Sequence, residues 1–275
     1  MDNRVGWDEL PDELRGAVEA RAGKVYSAQQ VGAGLNSPAA FVVATARSGP
    51  LFFKGVRTED PEGMRAMRTE ERINNAVAGV SPSVRYSFTA AGWYCLAFAY
   101  LDGRHVDLTP GTQDLGALAF VINTMRRLAV DDAYVARTGL EIPRLADRLR
   151  GFLTEREAGL LDGPHLLHTD TNPHNILITR HGGNAHVVDW AMPALGPAWV
   201  DAANTAVRLM ESGQPPTAAL TWLDTTDAWR AAAPEAVAAY VQATCRQWSA
   251  RVGETAARPN NARFSALLPH PRPAA

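Results

Sequence analysis

Two short apolar runs, Asn175–Thr179 and Ala185–Val188, lie on either side of Gly182-Gly183, and this arrangement constrains the chain more than any other feature. Runs of that length around paired glycines predict a β-hairpin. Asp170 and Asn175 precede or open the first run, and Asp189 follows the second. The hairpin therefore gathers three oxygen-bearing side chains at one end. Phosphoryl transfer needs such a set: one carboxylate to orient or deprotonate an attacking hydroxyl, and hard oxygen ligands for magnesium on the phosphates. Two other readings compete. Asp170 and Asn175 are also good turn formers in a merely polar hairpin. His165, His168, Asp170 and His174 are crowded enough to suggest a metal site, but the helical i, i+4 histidine spacing is absent and Pro173 argues against a helix.

The rest of the chain divides by texture near Asp102-Gly103. Before it, a short helix over Pro11–Ala22 leads into strand-like segments at Val25–Val31, Ala40–Ala46, Leu51–Val56, Val84–Thr89 and Trp93–Leu101, with one helix over Pro61–Ala78. After it, helical periodicity dominates at Leu115–Ala129, Ile142–Leu161, Asp201–Leu209, Thr217–Ala232 and Pro234–Val252. The proline-bearing tail from Arg258 reads as loose.

Lys54 stands in the otherwise apolar strand Leu51–Val56, where an ammonium is costly unless it meets an anion. Ala66, Glu70, Ile73 and Val77 share one face of the following helix, so Glu70 is the favoured partner and Glu71 the fallback. A snorkelling lysine and two solvated glutamates are the plainer alternative.

The pattern His-x-Asp-x-x-x-x-Asn at His168, Asp170 and Asn175, followed by Asp189, resembles the aminoglycoside phosphotransferase family, the small-molecule branch of the kinase-like fold. The resemblance implies an α+β, bilobal protein-kinase-like fold. Residues 1–101 would form an N-lobe of antiparallel sheet with one main helix, and 102–275 a mostly helical C-lobe that binds the acceptor. It implies that Asp170 is the catalytic base, that His168 braces its loop, and that Asn175 and Asp189 bind Mg2+. It further implies that the Lys54–Glu70 pair positions the phosphates of ATP, and that backbone groups near Ala99 and Leu101 meet the adenine. The Gly32–Ser37 loop, with Gly34 and Asn36, would be the flap over the triphosphate. It is not a Walker A loop, because no Gly-Lys-Ser/Thr ends it. Asp201 is implied as structural. The chain departs from the family at Thr169, where glycine is common, at Asn172, where histidine is common, and at His174, where glycine is frequent.

The implied activity is phosphorylation of a small-molecule hydroxyl: an antibiotic or other secondary metabolite, a nucleoside, a sugar or an amino alcohol. From 200 to 275 there are six acidic residues and seven arginines, which disfavours a polycationic acceptor such as an aminoglycoside. Trp199, Trp222, Trp229 and Trp248 read first as core residues, with the lining of an apolar acceptor pocket as the alternative. A protein kinase is a rival reading, weakened because Asp189-Trp-Ala replaces Asp-Phe-Gly and no Ala-Pro-Glu follows. A catalytically silent nucleotide-binding regulator on the same fold is another. A net charge of −2 gives no nucleic-acid footprint. Two distant cysteines, Cys95 and Cys245, give no disulfide framework. No apolar stretch of signal-peptide or membrane-spanning length is present, so the expectation is a cytoplasmic protein without a membrane partner.

Overall fold

The computed structural model describes residues 4–32 and 37–268. Helix α1 (Asp12–Ala22) ends at Gly23, whose φ of +84° suits a residue without Cβ. Strands β1 (Val25–Gln30), β2 (Ala39–Thr45) and β3 (Gly49–Arg57) follow, then α2 (Pro61–Ile73), β4 (Val84–Ala90) and β5 (Trp93–Ala99). The strands form one antiparallel sheet in the order β1-β2-β3-β5-β4. Side chains alternate across it. Phe41, Val43, Leu51, Phe53, Trp93 and Cys95 pack under α1 through Leu14 and Val18. The opposite face carries Phe52, Val56, Leu96 and Phe98 against Met64 and Met67 of α2. Lys54 lies between Phe52 and Val56 in this alternation, which puts it on the α2 face.

Asp60 caps α2 by accepting the Glu62 and Gly63 amides. The helix stops at Ile73, short of the expected Ala78. The cause is Asn74, buried, which donates to the Pro82 carbonyl and accepts the Val84 amide, turning the chain toward β4. Ile73, Val77 and Val80 join the larger core built by the second half of the chain. The Val187 amide bonds the Val80 carbonyl at 2.7 Å, Arg72 bonds the Gly139 carbonyl at 2.9 Å, and the Tyr134 hydroxyl bonds the Arg72 carbonyl at 2.6 Å.

Beyond the sheet come β6 (Gly103–His105), α3 (Leu115–Met125), α4 (Asp132–Thr138), α5 (Leu145–Arg148) and α6 (Glu155–Leu160), then β7 (His165–Leu167), β8 (Ile176–Thr179), β9 (Ala185–Val187) and β10 (Ala194–Gly196). The expected hairpin is β8–β9, and β6 pairs with its other edge. Only glycine fits at 103, because a Cβ there would lie 2.5 Å from the Ile178 carbonyl oxygen. Helices α7 (Val200–Glu211), α8 (Pro216–Leu223), α9 (Asp227–Arg230), α10 (Pro234–Val252) and α11 (Glu254–Ser265) complete the chain. No helix among the described residues is long and apolar enough to cross a membrane.

The helical half also departs from expectation: the single helix over 217–232 is α8 and α9. The single helix over 142–161 is two short ones around a 3-10 turn at Arg150–Phe152, and α6 restarts on the capping box Thr154/Glu157. Helix α4, capped by Asp131 and closed by left-handed Gly139, was not foreseen. The segment from Arg258, read as loose, continues α11 through Pro259. Buried Ala257, Phe264 and Leu267 fasten this helix to the core, with Phe264 edge-on to Tyr240 at 6.1 Å. Phe264→Ala is expected to cost about 3 kcal/mol of stability, read as a lower urea midpoint. An unchanged midpoint would mean that α11 does not hold to the core.

Candidate active site

The loop between β7 and β8 is built around Asp201, in the first turn of α7 and 3% exposed. Its carboxylate accepts the His168 amide and the Thr169 amide, each at 2.8 Å. Burial pushes the Asp201 carboxyl up, while the two amides pull against it. The His168 ring accepts the Asp170 amide on Nδ1 at 3.3 Å, so the proton sits on Nε2, which donates to the Val188 carbonyl at 2.9 Å. The ring also meets Trp190 edge-on at 4.7 Å. Both nitrogens are thus spent on joining the loop to the end of the hairpin. Among the described residues no cluster of three or more histidine, cysteine, aspartate or glutamate side chains is poised to hold a metal.

Thr169 has φ of +69°, the left-handed region that a β-branched residue enters only under constraint. Glycine would enter that conformation without a steric cost. Its amide is held by Asp201, its hydroxyl donates to the Met192 carbonyl at 3.0 Å, and the Arg148 guanidinium donates to that hydroxyl at 3.1 Å. Threonine is accommodated because three bonds fix it.

Asp170 follows, partly exposed. Its Oδ2 accepts Asn172 Nδ2 at 3.0 Å and Asn175 Nδ2 at 3.1 Å, while Asn175 Nδ2 also reaches the Asp170 carbonyl. Asn172 accepts the His174 amide as cap of the 3-10 turn Pro173–Asn175. The Asn175 amide nitrogen is therefore committed to Asp170, and its oxygen is the atom left to bind something else. Oδ1 of Asp170 has the Arg208 guanidinium at 3.8 Å.

Asp189 follows β9 in the left-handed region, with φ of +67°. Its Oδ1 accepts from Lys54 Nζ at 2.9 Å, and Glu70 accepts from the same nitrogen at 3.0 and 3.1 Å. Burial pulls the Lys54 ammonium down, but the two carboxylates outweigh it and hold it above its ordinary range. Burial pushes Glu70 up, with Lys54 opposing. Glu71 is elsewhere, bonded by the Tyr94 hydroxyl. A cleft of about 270 Å³ runs from this cluster to the end of β5. Val42, Phe52 and Leu177 make its apolar walls; Ala99, Leu101, Asn175 and Asp189 border it. The Ala99 amide is bound to the Ser83 carbonyl, so its own carbonyl is the group it offers. Gly34 and Asn36 lie outside the described residues. Sequence reasoning missed Arg148 and Arg208, which come from distant helices, and the bracing part of Asn172, whose cap position before Pro173 was the available signal.

Burial pushes the Asp189 carboxyl up, but Lys54 pulls harder and leaves it below the ordinary range. Such a group lends stability that is complete above about pH 5, beyond its unfolded pKa of about 3.9, and is lost as pH falls through the lower folded value. Wild type should therefore lose stability more steeply than Asp189→Asn as pH drops from about 5 to about 3, by denaturant titration. Parallel curves would show that Lys54 does not stabilise the ionised form.

Residues 120–248 match the sequence profile of the phosphotransferase enzyme family. No curated protein matches the chain by sequence. Among solved structures, the chain is similar to macrolide 2'-phosphotransferase MphH from Brachybacterium faecium, at 16% identity and TM-score 0.55, covering 94% of this chain and 98% of that one. It is similar to choline kinase LicA from Streptococcus pneumoniae, at 12% identity and TM-score 0.54, covering 92% and 97%. It is also similar to amicoumacin kinase hAmiN, solved with AMP-PNP, Ca2+ and Ami, at 12% identity and TM-score 0.53, covering 95% and 96%. The fold is the bilobal, kinase-like one that the resemblance implied, and the match to the phosphotransferase enzyme family covers a little under half of the chain.

Proposed function

We propose that this protein is an ATP-dependent phosphotransferase that phosphorylates a hydroxyl group of a small molecule. The observation that carries this reading is the Lys54 ammonium shared by Glu70 and Asp189 at the inner end of the cleft, with Asp170 held beside Asn175 in the same region. In this reading residues 1–101 are the lobe that covers the nucleotide, and 102–275 carry the catalytic loop and the acceptor site. The base of ATP lies between Val42, Phe52 and Leu177 with its edge toward Ala99–Leu101, and the phosphates lie toward Lys54. The names of the similar structures, kinases of macrolide, choline and amicoumacin, favour a small-molecule acceptor. The AMP-PNP and Ca2+ of the last favour a nucleotide with a divalent ion. Dependence on ATP also favours a cytoplasmic setting.

The Asn175 amide oxygen and the Asp189 carboxylate are hard oxygen donors of the kind that would hold Mg2+. Bound there, the ion would neutralise charge on the phosphates. Lys54, once a phosphate competes for it, adds a second positive charge. Asp170 uses Oδ2 to accept two amide bonds, so Oδ1 is the oxygen that meets the acceptor hydroxyl and takes its proton. The acceptor oxygen bonds to the γ-phosphorus as the bridging bond to the β-phosphate breaks, releasing ADP. Positioning and charge stabilisation supply most of the catalysis. Arg208, 3.8 Å from Oδ1, places a cation where the acceptor must arrive. This favours a neutral or weakly basic hydroxyl compound over a polycation.

A panel of hydroxylated metabolites and antibiotics screened for magnesium-dependent ADP release should yield a substrate. With it, Asp170→Asn is expected to lose about 10²- to 10⁴-fold in turnover while still binding nucleotide. Undiminished turnover in that variant would reject the assignment of the base.

A further inference from the structure

Two histidines border the cleft and have no part in the phosphoryl chemistry described above. His105 ends β6, directly across from Leu177 of β8. His174 is the middle residue of the 3-10 turn that delivers Asn175. Their rings meet edge-on, with centroids 5.3 Å apart and planes at 81°. Both side chains are exposed at the rim of the cleft.

The place of the pair along the cleft is what gives it meaning. A nucleoside triphosphate has a fixed order: base, sugar, phosphates. The apolar walls at Leu177 and Val42 suit the base, and Asn175, Asp189 and Lys54 suit the phosphates. His105 is level with Leu177, and His174 adjoins Asn175, so the pair stands where the first region passes into the second. We propose that His105 and His174 form a ribose-binding pair that recognises the 2' and 3' hydroxyls of the nucleotide. This inference rests on the reading of the cleft as the nucleotide site.

The chemistry agrees with a sugar rather than a phosphate as the ligand. Partial burial, and then His174, hold the His105 imidazole below its ordinary range, which favours its neutral form. A neutral imidazole has one donor and one acceptor nitrogen, as each hydroxyl of a vicinal diol is both donor and acceptor. A phosphate only accepts, and would call for a cation such as Lys54. A glycine at 174, frequent in the family the chain resembles, would leave this edge of the cleft without the second ring.

The test is calorimetric titration of the full-length protein, with magnesium present, by ATP, 2'-deoxy-ATP and 3'-deoxy-ATP. Wild type should bind at least one deoxy nucleotide roughly 3- to 10-fold more weakly than ATP, the worth of one or so hydrogen bonds. His105→Ala and His174→Gly, checked for unchanged melting temperature, should bind ATP as weakly as the deoxy nucleotide and discriminate by less than about twofold. His105→Gln, which keeps an N–H donor, should retain part of the preference. Equal affinity of wild type for all three nucleotides, or full discrimination in both truncated variants, overturns the ribose pair while leaving the nucleotide site standing. Failure of wild type to bind any of the three overturns the site and the pair together.

Discussion

The Lys54 ammonium is the point at which three separately built parts of the molecule meet. It rises from β3, and its protons go to Glu70 on α2 and to Asp189 at the end of the β8–β9 hairpin. A lysine this deep in an apolar face would be strongly disfavoured alone. With two carboxylates it becomes the condition for the sheet, the helix and the hairpin to sit where they do. The cluster carries one more negative than positive charge, which suits it to receive a divalent cation or to surrender its lysine to a phosphate.

The loop between β7 and β8 is held by a different device. Asp201 satisfies two consecutive backbone amides, and His168 ties the loop to Val188. These bonds sit behind the loop, away from solvent, where a hydrogen bond is stronger and an unmade one costlier. They hold Thr169 in a left-handed conformation and aim Asp170 outward. Asn172 and Asn175 then fix which carboxylate oxygen remains available. The orientation of Asp170 is therefore set by groups that lie behind and beside it.

Much of this was legible in the sequence, and the limits follow from the kind of interaction involved. The hairpin announced itself through paired glycines between apolar runs, and Glu70 through a helical face, because both signals are local. The end of α2 was misplaced because Asn74 draws on Pro82 and Val84, partners that periodicity does not reveal. The stretch from Arg258 reads as loose because it carries several prolines, whereas the burial of Phe264 and Leu267 depends on α7 and α10 being in place. Arg148 and Arg208 were invisible for the same reason: each reaches the loop from a helix dozens of residues away. The edge-on contact of His105 and His174 arises only because β6 pairs with β8.

The early end of α2 has a mechanical consequence. Ile73, Val77 and Val80 are embedded in the core of the helical half, and Arg72 and Val80 are bonded to it through their carbonyls. The helix that bears Glu70 is thus tied at its end to the helical half, while its Met64 and Met67 pack on the sheet that bears Lys54. It is a strut fixed at both ends, so a shift of one half against the other is felt where lysine meets glutamate.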